Sequence, residues 1–115
     1  MSIFNRKKRQ PGVVATYTFT QAESCRGFKR VKLSSYGHKP AEDGIRALSG
    51  KDLSGKVIAV DIIKDKYPRA VFSVGKHEVG TIWDRYDCFA PLARGQIRAI
   101  RLEIADESAF LYYIE

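Results

Sequence analysis

The chain has little of what chemistry usually needs. It holds two cysteines, Cys25 and Cys88, and two histidines, His38 and His77. They form no Cys-x-x-Cys pair, and no histidine lies close to either cysteine. A zinc site needs about four ligands at set spacing, so no metal is expected. Two buried thiols in a reducing cytoplasm is the expectation for the cysteines. No apolar run approaches the ~20 residues that span a bilayer. The start, MSIFNRKKRQPG, has charge but no apolar stretch behind it, unlike a secretory signal. No Gly-x-x-x-x-Gly-Lys or Gly-x-Gly-x-x-Gly loop occurs, so no nucleotide cofactor is expected. A small hydrolase or nuclease would lack both its base and its metal set. The chain therefore reads as non-enzymatic and cytoplasmic, with no cofactor and no membrane partner.

What is present in excess is positive charge: 20 Lys+Arg face 13 Asp+Glu in 115 residues, with a pI of about 9.6. Four cations, Arg6, Lys7, Lys8 and Arg9, sit in a tail spanning residues 1–11. Such a tail is either a solubilising extension or an electrostatic arm for nucleic acid or an acidic surface. The remaining 16 cations and 13 acids still leave +3 on residues 12–115, which read as one domain. Excess positive charge favours anionic partners, nucleic acid among them.

Residues 12–115 are dominated by strand patterns. VVATYTFT (13–20) is β-branched and aromatic. FKRVKLSSY (28–36) alternates, with Val31 and Leu33 on one face and Phe28, Arg30 and Lys32 on the other. AEDGIRALSG (41–50) reads as a short helix with Ile45 and Leu48 inward; Gly44 weakens it and Gly50 stops it. GKVIAVDIIK (55–64) is apolar on both faces and predicts a central strand, with Asp61 on the solvated side. RAVFSV and VGTIW form a hairpin about a GKHE turn that contains His77. DRYDCFAPLARG (84–95) predicts a helix capped by Asp84, with Tyr86, Phe89 and Leu92 as its stripe and Pro91 as a break. QIRAIRLEI and AFLYYIE are two further strands about an ADES turn. The order is β-β-α-β-β-β-α-β-β. This predicts a mainly β (α+β) fold: a small OB-like antiparallel β-barrel with two short helices.

The most informative stretch is RGFKRVKLSSYGHK (26–39). It holds Arg26, Lys29, Arg30, Lys32 and Lys39 and no acid, with Phe28, Tyr36 and His38 interleaved. Cations that track phosphates and rings that stack bases hold single strands without sequence readout. Lysines on a solvated strand edge, where they block edge pairing, give the same pattern. Both readings stand at this point.

The order of elements, and the stretch DKYPRAVFSV followed by GKHEVGTIW, resemble a HIRAN domain over residues 26–104. That family has a turn of the form Asn-Pro-Tyr-Asp-x-Asn-Ala, a strand, a glycine turn and Val-Gly. Tyr67, Ala70 and Val79-Gly80 occupy the matching places. Asp65 and Lys66 replace the Asn-Pro, Arg69 the second Asn, and the turn is one residue shorter. The resemblance implies an OB-like barrel and, in DNA-binding members, a hold on the 3′ end of a single strand; the replaced residues bear on that end specificity.

The function expected is thus a nucleic-acid-binding module for single-stranded DNA. Tyr67 offers a stacking face, Lys66, Arg69, Arg30, Lys32, Lys39 and His38 offer phosphate contacts, and Phe28 and Tyr36 offer rings. The alternative is a protein–protein interaction module of the same fold.

Overall fold

The computed structural model describes residues 12–84 and 89–115. The tail at 1–11 and the expected helix start at 85–88, with Tyr86 and Cys88, lie outside them. The elements run β1 Val13–Thr20, β2 Lys29–Lys32, α1 Lys39–Leu48, β3 Val57–Ile63, β4 Arg69–Val74, β5 His77–Trp83, α2 Phe89–Ala93, β6 Ala99–Ala105 and β7 Ser108–Ile114. This is the expected order. The fold is mainly β, with every ladder antiparallel.

The strands form two sheets, β1-β3-β4-β5 and β2-β7-β6. Alternation explains what each strand buries. Ile58, Val60 and Ile62 of β3 pack inward against Ala70, Phe72 and Val74 of β4, while Val57 on the other face is exposed. The central place of β3 between β1 and β4 agrees with its apolar richness. Ile100 and Leu102 of β6 and Leu111 and Tyr113 of β7 bring the second sheet to the same core. Asp61 points away from it, half-buried, and accepts the Thr16 hydroxyl at 2.6 Å. No helix among the described residues is long and apolar enough to cross a membrane.

The two sheets meet at two seams. At one, the chain after β2 changes sheets. The Leu33 N–H donates to Ala109 O at 2.9 Å, and the next residue pairs with β5 instead: Ser34 N to Thr81 O at 2.8 Å and Thr81 N to Ser34 O at 3.0 Å. This switch is why β2 ends at Lys32 and not at Tyr36 as its pattern predicts. At the other seam, the Ala22 N–H donates to Ile100 O at 3.0 Å. Beside it the buried Gln21 amide completes the pairing: Nε2 donates to Leu102 O at 2.7 Å and Oε1 accepts from Leu102 N at 2.8 Å. A side chain here replaces a strand residue, because one amide presents the same donor and acceptor as a peptide.

Three other expectations change. The β4–β5 loop is two residues, Gly75-Lys76, since Val74 pairs with His77. His77 therefore lies in a strand, half-buried, not in the turn. Gly75 at φ 60° supplies the first position of the tight hairpin. Cys25 is half-buried, not buried.

Gly44 is the third. Its cost to helix propensity is real, but a Cβ there would meet Glu78 O of β5 at 1.9 Å. The missing side chain lets α1 lie on the β5 backbone, with Ala41, Ile45 and Leu48 buried around the contact.

Candidate nucleic-acid interface

The second sheet has one face in the core and one outside it. Register sets the outer face. Arg30 of β2 and Arg101 of β6 both lie opposite Tyr112 of β7, and Lys32 and Glu103 both lie opposite Phe110. Phe28 directly precedes β2, in a turn closed by its own N–H to Cys25 O at 3.0 Å. Two residues of the basic stretch, Arg30 and Lys32, thus share a face with two aromatic rings, Phe110 and Tyr112, and Phe28 leads into it. The alternation in AFLYYIE marks them: Ala109, Leu111 and Tyr113 are buried, so Phe110 and Tyr112 must face out.

The contacts on this face are specific. The Arg30 guanidinium carbon lies 4.1 Å from the Phe110 ring centre and 5.7 Å from that of Tyr112. Its Nε donates to Tyr112 Oη at 3.0 Å, and Tyr112 Oη donates to Glu103 Oε1 at 3.1 Å. Arg30 is therefore held over an aromatic surface at cation–π distance. Arg101 is turned to the seam, where it donates to Ala22 O at 2.6 Å and Glu23 O at 3.1 Å. Lys32 is exposed and also borders a groove of about 730 Å³ between α1 and the β6–β7 turn, lined in part by Tyr36, Arg46, Glu42, Asp106 and Glu107.

The rest of the predicted site divides between that groove, the start of α1 and the β3–β4 turn. Tyr36 is 97% exposed at the groove. His38 Nε2 lies 2.6 Å from Glu78 Oε2 and Lys39 Nζ lies 3.2 Å from Asp43 Oδ2, so both face acids at the start of α1. Tyr67, 60% exposed, sits in the β3–β4 turn with the Lys66 ammonium 5.7 Å from its ring centre. Arg69 serves that turn: Nη1 donates to Asp65 Oδ1 at 2.9 Å and Tyr67 O at 2.8 Å, and its guanidinium lies 5.6 Å from the Trp83 ring. Asp65 also accepts the Tyr67 N–H at 2.8 Å. That backbone hydrogen bond first, and Arg69 with it, holds the Asp65 carboxyl below the usual range.

The geometry therefore joins Arg30 and Lys32 on one surface, with Phe28 at the entry to β2. It leaves Tyr36 beside them, and sets Lys66, Tyr67 and Arg69 on the other sheet. Comparison with protein-family models, with curated proteins and with solved structures finds no match to this chain.

Proposed function

We propose that the protein is a non-enzymatic binding module for single-stranded nucleic acid, DNA first, and that the outer face of the β2-β7-β6 sheet is its platform. The observation that carries this reading is the juxtaposition of Arg30, Lys32, Phe110 and Tyr112 on that face. Rings spaced two residues apart along a central strand suit successive bases, and the flanking cations suit the backbone. The two seams support reading the sheets as halves of one OB-like barrel, the architecture that the HIRAN resemblance implies. Glu103 sets a negative charge within the platform, which favours base stacking over dense phosphate contact. Because Arg69 and Asp65 brace each other within the Tyr67 turn, that turn is a poor candidate for reading a strand end.

Fluorescence anisotropy with short oligonucleotides at 50 and 200 mM salt tests this. Binding that weakens with salt is expected. Phe110→Ala should weaken it about 5- to 150-fold, from ~1–3 kcal/mol of stacking per base. No binding by the wild-type chain at low salt would remove the proposal and leave a protein-interaction role on the same surface. Equal affinity for probes with free and blocked 3′ ends is also expected.

A further inference from the structure

A groove of about 540 Å³ lies where the end of α1, the chain from 49 to 56 and the β4–β5 hairpin converge. It shares no lining residue with the platform. Its floor is aliphatic. Leu48 and Val74 are buried there, Leu53 is half-buried, and Val57, at the start of β3, is 53% exposed. Apolar surface in a concave setting with a few polar groups around it is what a ligand covers.

The rim is basic. Lys51, Lys56 and Lys76 stand exposed around it, and Asp52 is the acid among the lining residues. Three cations against one carboxylate leave a surplus of two positive charges. Asp52 is turned into its own loop, where it accepts the Ser54 N–H at 2.9 Å. Among the described residues no ion pair engages these three lysines, whereas Lys29, Lys39, Arg46 and Arg69 each hold an acid elsewhere on the fold.

The backbone beneath the lysines is ordered. The Lys51 N–H donates to Leu48 O at 3.1 Å, and the Lys56 N–H to Leu53 O at 3.1 Å, so a turn closes on either side of Asp52. Lys76 stands at the tip of the two-residue hairpin loop. A ligand therefore has side chains to order here but no loop, which keeps the cost of binding low.

The lining also selects among anions. No Phe, Tyr or Trp is among it, and His77 is its ring. A nucleic-acid base finds no aromatic face to stack on. An aliphatic floor inside a lysine rim instead matches a bulky apolar side chain set between carboxylates. Lysine meets a carboxylate as a point charge, without the fixed fork of arginine.

We propose that this groove docks an acidic, apolar peptide segment of a partner protein. An apolar side chain covers Val57 and Leu53, and the flanking carboxylates meet Lys51, Lys56 and Lys76. The inference stands apart from the platform reading, since the two surfaces have no residue in common.

The test uses the full chain and three fluorescein-labelled peptides: one of leucine and glutamate, one with alanine in place of leucine, and one with glutamine in place of glutamate. Anisotropy at about 0.1 M salt should show binding of the first and of neither control. Lys51→Gln with Lys76→Gln should weaken it about 2- to 30-fold, the effect of two exposed ion pairs. Lys64→Gln with Lys66→Gln removes the same charge at the far end of β3, roughly 20 Å away. That is beyond the screening length, so the change there should stay below about 2-fold. Oligo-thymidine should not displace the peptide. No binding of the leucine–glutamate peptide up to about 1 mM overturns the proposal. So does equal binding of the alanine peptide, because the floor then plays no part. Equal weakening in the two double variants overturns it as an effect of net charge, and displacement by oligo-thymidine overturns it as a phosphate track. Failure of oligo-thymidine to bind at all removes the platform reading and leaves this one standing.

Discussion

Replacing Gln21 tests whether one side chain closes the seam between β1 and β6. The amide makes two hydrogen bonds to Leu102, at 2.7 and 2.8 Å, in a buried setting. Gln21→Ala strands a buried N–H and a buried C=O, and each unsatisfied group costs about 1–3 kcal/mol. Partial access of water to the truncated site reduces the total, so about 2–4 kcal/mol is expected. That is a large part of the 5–15 kcal/mol that holds a domain of this size. At roughly 4 °C per kcal/mol, the melting temperature should fall by about 8–16 °C. Gln21→Glu sharpens the test. It keeps the acceptor for Leu102 N but sets a second acceptor against Leu102 O, so at pH 7 it should be at least as damaging as alanine. Burial and that apposition raise the carboxyl pKa in the folded state. The penalty is then present above the raised value and is relieved as pH falls through it, when the acid regains a donor. Calorimetric melts of both variants from pH 7 to 4.5 decide the matter. A Gln21→Ala loss below 0.5 kcal/mol, or a Gln21→Glu chain with wild-type stability at pH 7, refutes the reasoning.

Gly44→Ala should destabilise the protein by about 2 kcal/mol despite improving helix propensity by ~1 kcal/mol, because the methyl meets the Glu78 backbone; urea unfolding measures it. Asp106 and Glu107 both hold positive φ, at 51° and 59°, in the β6–β7 turn. Glu107→Gly should therefore stabilise by about 0.5–1 kcal/mol, relief of strain being offset by chain entropy; the same urea midpoints show it. Glu103→Gln should tighten binding of the short oligonucleotide and reduce no fold signal, read by anisotropy and circular dichroism. Asp65 has its pKa lowered on folding, so its contribution to the turn is complete above the ordinary value of about 3.9 and is lost as pH falls through the lowered one. Trp83 fluorescence, sensing Arg69 beside it, should hold steady from pH 7 to about 4 and change below. In Asp65→Asn that acid step should be absent.

What could be read from the chain was what local alternation encodes. Val13–Thr20 and Val57–Ile63 carry strong period-two or doubly apolar patterns, and both strands stand where expected. The polar His77 and Glu78 predict a four-residue loop after Val74, although their backbones pair with β4. Gly44 showed in the sequence only as a weak helix residue. Its purpose depends on a strand 34 positions later, which no local pattern reports. Gln21 is hidden for the same reason, its partner lying 81 residues away. For the candidate site, the shared face of Arg30 and Lys32 was legible because residues two apart on a strand point the same way. Phe110 and Tyr112 were not, since a terminal strand rich in aromatics reads as core until its partners fix which face is covered. The charge of Arg69, visible in the sequence, suits a phosphate contact, whereas its engagement by Asp65 and Trp83 is not visible there.

The packing of α1 on β5 also orders events in time. A helix of ten residues with an interior glycine and no side-chain cap at His38 is too short and too weak to persist by itself. Gly44 has no side chain to contribute before the Glu78 backbone is in place, so α1 gains its stability only after β5 exists. The β3–β4–β5 meander, whose ladders close over short loops, is then the natural nucleus, and α1 condenses upon it. Substitutions at Ile45 should accordingly leave the folding rate almost untouched and appear in the unfolding rate. A glycine that looks like a defect in a helix thus makes that helix a late and conditional part of the fold.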